Sequence, residues 1–200
     1  MKKTLFITFI VLFIVGCSCL PLPHPMPTPT PKTEGPGSID DYEVLSTLLE
    51  YVAGGSSQYV IVDTSTPGFG FDESSADQFD YLNEQLPALT HEMIESWMAA
   101  NNEAMVWEDS FDLDAPVVLI SNSDLDKLLD DVYWTGFHTQ FPDVGGFFEL
   151  SHPGYNAEGD LALVYMRFSA GSLAANGTFY LLAYENGVWQ VVGEAMLWIS

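Results

Sequence analysis

The last third of the chain alternates short apolar runs with turn residues, and this pattern predicts four β-strands in succession. We place them at residues 146–152, 161–169, 178–185 and 188–199, folded back on one another as a meander. The turn signals between them are strong. Asn186-Gly187 separates two β-rich runs, and this pair supplies the positive φ angles of a two-residue type I′ hairpin turn. The stretch Asn156-Ala157-Glu158-Gly159-Asp160 is a second turn, and residues 169–177 read as the loop between the second and third strands.

The pattern changes to helical spacing upstream. Val44, Leu45, Leu48, Leu49 and Val52 recur along one face of a helix over 39–53, with Ser38 as its cap, Asp40 and Asp41 at its positive end and Gly54-Gly55 as its stop. Residues 59–64 are short and β-branched and read as a strand. Residues 64–80 read as a loop pinned by Phe69 and Phe71. A helix bearing Met93, Ile94, Trp97 and Met98 starts near Thr90, with Pro87 in an irregular lead-in. Residues 115–121 read as another strand, followed by a short helix to Leu129 capped by Ser123. A last helix over 132–141 carries Trp134, Phe137 and Phe141, and is closed by Pro142 and Gly145-Gly146. These elements predict an α+β domain, an antiparallel β-meander of four or more strands packed against three or four helices. No internal repeat is found.

The first residues have a different character. Lys2 and Lys3 precede an apolar run of about eleven residues, too short for a spanning helix, and Gly16-Cys17 follows. Ile14-Val15-Gly16-Cys17 resembles a lipobox, so residues 1–16 read as a lipoprotein signal peptide and Cys17 as the lipidated N-terminus of the mature protein. Acyl chains there would anchor the protein to a membrane, at about 0.8 kcal/mol per buried CH₂. Proline alternates from Pro21 to Pro31 and returns at Pro36, so 17–37 is a lipidated cysteine with a proline-rich tether. In polyproline II form it would reach roughly 50 Å. The globular domain is then 38–200. Both cysteines lie ahead of it, which excludes disulfides, thiolate zinc and a cysteine nucleophile from the domain.

Charge narrows the partners. The chain carries 28 acidic and 5 basic residues, a formal net charge of −23, and only Lys127 and Arg167 of the basic residues fall in the domain. Such a surface repels nucleic acid, and suits cations or a basic partner.

One further pattern is a resemblance. The segments Ser151-His152-Pro153-Gly154-Tyr155-Asn156, Ala162-Leu163-Val164-Tyr165, Gly177-Thr178-Phe179-Tyr180-Leu181-Leu182, Gly187-Val188-Trp189-Gln190-Val191 and Trp198-Ile199-Ser200, preceded by the Trp134–Phe137–Phe141–Pro142 helix, resemble bacterial secreted and lipoprotein domains. The resemblance implies architecture and an extracytoplasmic, membrane-anchored location, and carries no activity. The chain departs from that pattern at His152, where a basic residue is common, and in the loop at 169–177, which is usually richer in glycine.

Candidate chemistry is sparse. There is no G-x-S-x-G elbow, no S-x-x-K and no H-E-x-x-H. His91, His138 and His152 could meet over the sheet, although each alone is more often a hydrogen-bonded structural residue. Calcium is the one cofactor with candidate ligands. Asp109, Asp112 and Asp114 form one acidic loop, and Asn156, Glu158 and Asp160 another. Neither has the D-x-[DN]-x-[DN]-G spacing, so solvated turns are the preferred reading of both. The favoured function is a tethered, non-catalytic binding module with an envelope or extracellular partner. The rivals are a hydrolase using two acidic residues and a calcium-dependent adhesion module. A cleft lined by two carboxylates would favour the enzyme, and an exposed apolar patch would favour binding.

Overall fold

The computed structural model describes residues 39–66, 76–130 and 133–200. All belong to one compact unit, Thr33–Ser200. The expected signal peptide, lipidated Cys17, tether, Ser38 cap and Phe69 and Phe71 contacts all lie outside the described residues. Five α-helices and seven strands are present among those described: α1 (Asp41–Ala53), β1 (Tyr59–Val62), α2 (Ala76–Gln85), α3 (His91–Ala100), β2 (Val117–Ile120), α4 (Asn122–Leu128), α5 (Thr135–Gln140), β3 (Phe147–Leu150), β4 (Gly154–Tyr155), β5 (Leu161–Gly171), β6 (Ala174–Glu185) and β7 (Val188–Ile199). The fold is α+β, as expected. No helix among the described residues is long and apolar enough to cross a membrane.

The sheet runs β2-β1-β3-β5-β6-β7, with β4 paired to β5 alongside β3. The meander β3-β5-β6-β7 is antiparallel throughout. Asn186 and Gly187 have φ of 55° and 88°, the two positive values a type I′ turn requires, and glycine takes the second without steric cost. Two expectations change here. The predicted first strand ends at Leu150 rather than His152, and after Ser151-His152-Pro153 a further two-residue strand, β4, follows. The predicted loop at 169–177 is mostly strand, since β5 and β6 extend until only Ser172 and Leu173 connect them. β1 and β2 add to the sheet in parallel, β1 pairing with both β2 and β3.

The helices also differ in detail. Asp40 is the N-cap of α1, its carboxylate accepting from the Tyr42 N–H at 2.9 Å. Ser121, not Ser123, caps α4. The last helix begins at Thr135 rather than 132, because Trp134 stands at φ 54°. That left-handed conformation costs a non-glycine residue roughly 1–2 kcal/mol, and here it accompanies a buried indole stacked on Phe147 at 5.5 Å. α2 was expected to be loop as far as Asp80. Its sequence is mostly acidic and amide, and only Leu82, with Phe79 partly buried, gives it an inner face.

Alternation along the strands divides the sheet into two faces. On one, α1 lays Val44, Leu45, Leu48 and Leu49 against Leu150, Ala162, Val164, Leu182 and Trp189. The opposite face carries two helix pairs. α2 and α3 pack Leu82, Leu86, Met93 and Trp97 on Leu163, Tyr165, Phe179 and Leu181. α4 and α5 pack Leu125, Phe137 and the adjoining Trp134 and Phe141 on Val60, Val62, Ile120 and Phe147.

Candidate functional site

The α1 face is left uncovered at one end. Strand register places Phe148 opposite Phe168, Phe168 opposite Asn176, and Asn176 opposite Ile199, so these four residues form one row across β3, β5, β6 and β7. The Phe148 and Phe168 rings meet at 4.9 Å. α1 ends at Ala53, and beyond it the row floors a groove. One hollow of about 230 Å³ lies against Val52, Ala53, Asp143, Gly146, Phe148 and Phe168. A shallower one of about 290 Å³ lies on the other side of Phe168, against Ala170, Leu173, Asn176 and Ile199. Leu173 and Ile199 are 87% and 74% exposed, the values expected of residues with nothing packed on them. Gly146 is needed at the groove wall: a Cβ there would meet the Ser169 carbonyl oxygen and press on the Phe168 ring.

The groove's walls are apolar apart from Ser56, Gln58, Asn176, Ser200 and the exposed carboxylate of Asp143. Sequence reading missed it because no local motif encodes it; it arises where a helix stops and strands continue.

The most polar constellation lies near the other end of α1. Asp41 bridges two side chains, His152 Nδ1 at 3.0 Å and the Tyr155 hydroxyl, which donates at 2.8 Å. The His152 ring is 13% exposed and sits 4.4 Å from Trp107. Its Nε2 and the Trp107 Nε1 are buried without hydrogen-bond partners. Burial, and then the Asp41 charge, push the Tyr155 hydroxyl far above its ordinary range. Ser151 is no nucleophile for this histidine. Its hydroxyl donates to the His152 carbonyl and accepts from the Trp97 indole N–H and the Tyr165 N–H, so its capacity is used in holding β3, β5 and α3 together. The other histidines stand apart: His91 contacts Glu95 and Phe79, and His138 contacts Trp134 and Phe137. The three histidines do not meet, and each has the separate structural surroundings preferred for it on sequence.

The calcium candidates are placed as follows. The Asp112 N–H donates to Ser46 Oγ and the Asp114 N–H to Glu50 Oε1, so their backbone ties the loop to α1. Asn156 organises the other turn. Its Oδ1 accepts from the Asp160 and Leu161 N–H groups, and its Nδ2 donates to Asp160 Oδ1 at 2.7 Å and more weakly to Glu158. Asp109 lies exposed in the same loop as Asp112 and Asp114. Among the described residues, no group of three or more His, Cys, Asp or Glu side chains is arranged to hold a metal ion.

One buried acid departs from ordinary behaviour. Burial pushes the Glu149 carboxyl above its usual range, against the opposing pull of Arg167. Arg167 NH1 lies 3.0 Å from Glu149 Oε2. That oxygen still lacks a hydrogen bond of acceptable geometry, so the contact is ionic but poorly aligned. The Arg167 guanidinium also lies 5.8 Å from the Trp198 ring centre. An acid pair of the kind a glycosidase uses needs a second carboxylate, and here the neighbour is a cation. Compared with family models, curated proteins and solved structures, the chain matches none of them.

Proposed function

We propose that this protein is a lipid-anchored, non-catalytic binding module of a bacterial envelope, and that the groove over Phe148, Phe168 and Ile199 is its contact surface. The observation that carries the reading is the groove beyond the end of α1, floored by Phe148, Phe168, Asn176 and Ile199, with Ile199 and the adjoining Leu173 largely exposed. Apolar residues scattered singly over a surface need no explanation, but a mostly apolar groove with two hollows does. The lipobox at Val15-Gly16-Cys17 supports the anchor, and the proline run supports a tether that holds the domain clear of the membrane.

The test is a titration of the full chain with an apolar fluorescent probe. Wild type should bind it saturably. Replacing Leu173→Asp together with Ile199→Asp should weaken binding at least about tenfold, equivalent to about 1.4 kcal/mol. The thermal midpoint should move by no more than roughly 2 °C, because both side chains are exposed. A probe that binds both forms equally would remove the groove from the account. For the anchor, Cys17→Ala should release the protein from the membrane fraction. Unchanged fractionation and mature mass would rule lipidation out.

A further inference from the structure

Resting on that reading of the groove, we infer that its occupant is a short cationic polypeptide segment carrying apolar anchor residues. Three features of the groove select this chemistry. The first is size. Hollows of about 230 and 290 Å³ fall below the roughly 300–1,000 Å³ of pockets that enclose a whole small molecule. They suit single side chains inserted from a partner that otherwise lies outside. Anchors of this kind contribute most of the affinity where they fill desolvated pockets.

The second is shape. The floor crosses the strands rather than running along them, from Phe148 on β3 to Ile199 on β7. Three strand spacings of about 4.8 Å give a floor of roughly 14 Å, the length of about four residues of extended chain. The Phe168 ring separates the two hollows, so the segment carries one anchor on each side of it. Main-chain pairing to the free edge of β7 is a poorer route. That strand is irregular where Leu197 and Val192 lack partners in the β6 register, and the Tyr81 hydroxyl already donates to the Met196 carbonyl at 2.8 Å. Bulges and capped carbonyls are how proteins discourage strand addition.

The third is charge. Asp143 is the charged residue at the groove, exposed at the mouth of the deeper hollow, and the chain bears a net −23. An anionic partner would be repelled before it arrived. A basic one would be drawn in by a long-range field that salt weakens.

The experiment uses two synthetic peptides with the same two apolar anchors, one flanked by Lys and Arg and the other by Ser and Gln. Each is titrated against the full chain by fluorescence anisotropy, at low and at moderate NaCl. The cationic peptide should bind at least about tenfold more tightly than its neutral twin at low salt, and the margin should shrink as salt rises. Leu173→Asp with Ile199→Asp should abolish its binding, and Asp143→Asn should weaken it by about twofold to fivefold, as expected for a rim charge. Equal binding of both peptides at an intact groove would overturn the cationic inference while leaving the binding module standing. Cationic binding that survives the double substitution would also overturn it, as attraction to the acidic surface alone. Failure of both peptides where the apolar probe still binds would reject a peptide occupant. Failure of the probe as well would remove the underlying reading.

Discussion

The two ends of the α1 face use the same kind of side chain in opposite ways. Under α1, Ala162, Val164, Leu182 and Leu150 are sealed by Val44, Leu45, Leu48 and Leu49, and all eight are fully buried. One or two strand rows further on, Phe168 is only partly buried and Ile199 is open. The cause is length. A helix of 13 residues spans about 20 Å at 1.5 Å per residue. Strands β5 and β6, of 11 and 12 residues, run to roughly 37–41 Å at 3.4 Å per residue. One helix cannot cover that distance, and among the described residues no second helix continues it on this face. The opposite face has two helix pairs over the same sheet. Apolar patterning in a strand declares a face without declaring what covers it.

Breaking the covered end should be costly. Leu48→Ala removes a fully buried side chain and should lower stability by about 2–5 kcal/mol in chemical denaturation. Leu173→Asp at the open end should change it by no more than roughly 0.5 kcal/mol. Similar costs at both sites would mean that the groove is part of the core. The next effect is at the hairpin that aligns Ile199 with Asn176. Gly187→Val forces a β-branched residue to φ 88°, and should cost more than about 1 kcal/mol. A thermal midpoint unmoved by this change would contradict the observed turn.

A third prediction sharpens the comparison through pH. Tyr180 lies in the covered region, and burial, with Glu194 second, raises its hydroxyl from 10.0 to about 12. Because the folded value is above the unfolded one, its contribution to stability is complete below pH 10 and is lost as pH rises towards about 12. Denaturation series across that interval should show falling stability, and Tyr180→Phe should flatten the decline. An identical slope in the variant would mean the hydroxyl is not buried as described.

The smallest effect concerns the acids. Screening of their mutual repulsion should raise the thermal midpoint modestly between low and moderate salt. NaCl, MgCl₂ and CaCl₂ at matched ionic strength should act alike if the turns at Asp112–Asp114 and Asn156–Asp160 are solvated. A calcium-specific rise, abolished by Glu158→Gln with Asp160→Asn or by Asp112→Asn with Asp114→Asn, would make one turn a calcium site.

The meander was legible in the sequence because its signals are local. Asn186-Gly187 specifies its own turn, and apolar runs bounded by turn residues set the strands. α2 was not legible, since Ala76–Gln85 offers too few apolar positions to show a helical period. The parallel pairing of β1 with β2 and β3 depends on long crossovers with no local signature. Asp41 and His152 are 111 residues apart, and their spacing carries no motif. Phe168 could be read as a strand residue, but not as half-uncovered, because its exposure is decided by where a helix over a hundred residues away stops.

The most direct measurement of the central claim is NMR mapping of the apolar probe on the isotopically labelled full chain. If the uncovered end of the α1 face is the binding surface, amide shifts should concentrate at Phe168, Ala170, Leu173, Asn176 and Ile199, with those under α1, such as Val164 and Leu182, unmoved. Shifts centred instead on the Asp41–His152–Tyr155 cluster, or spread over the whole sheet, would contradict it.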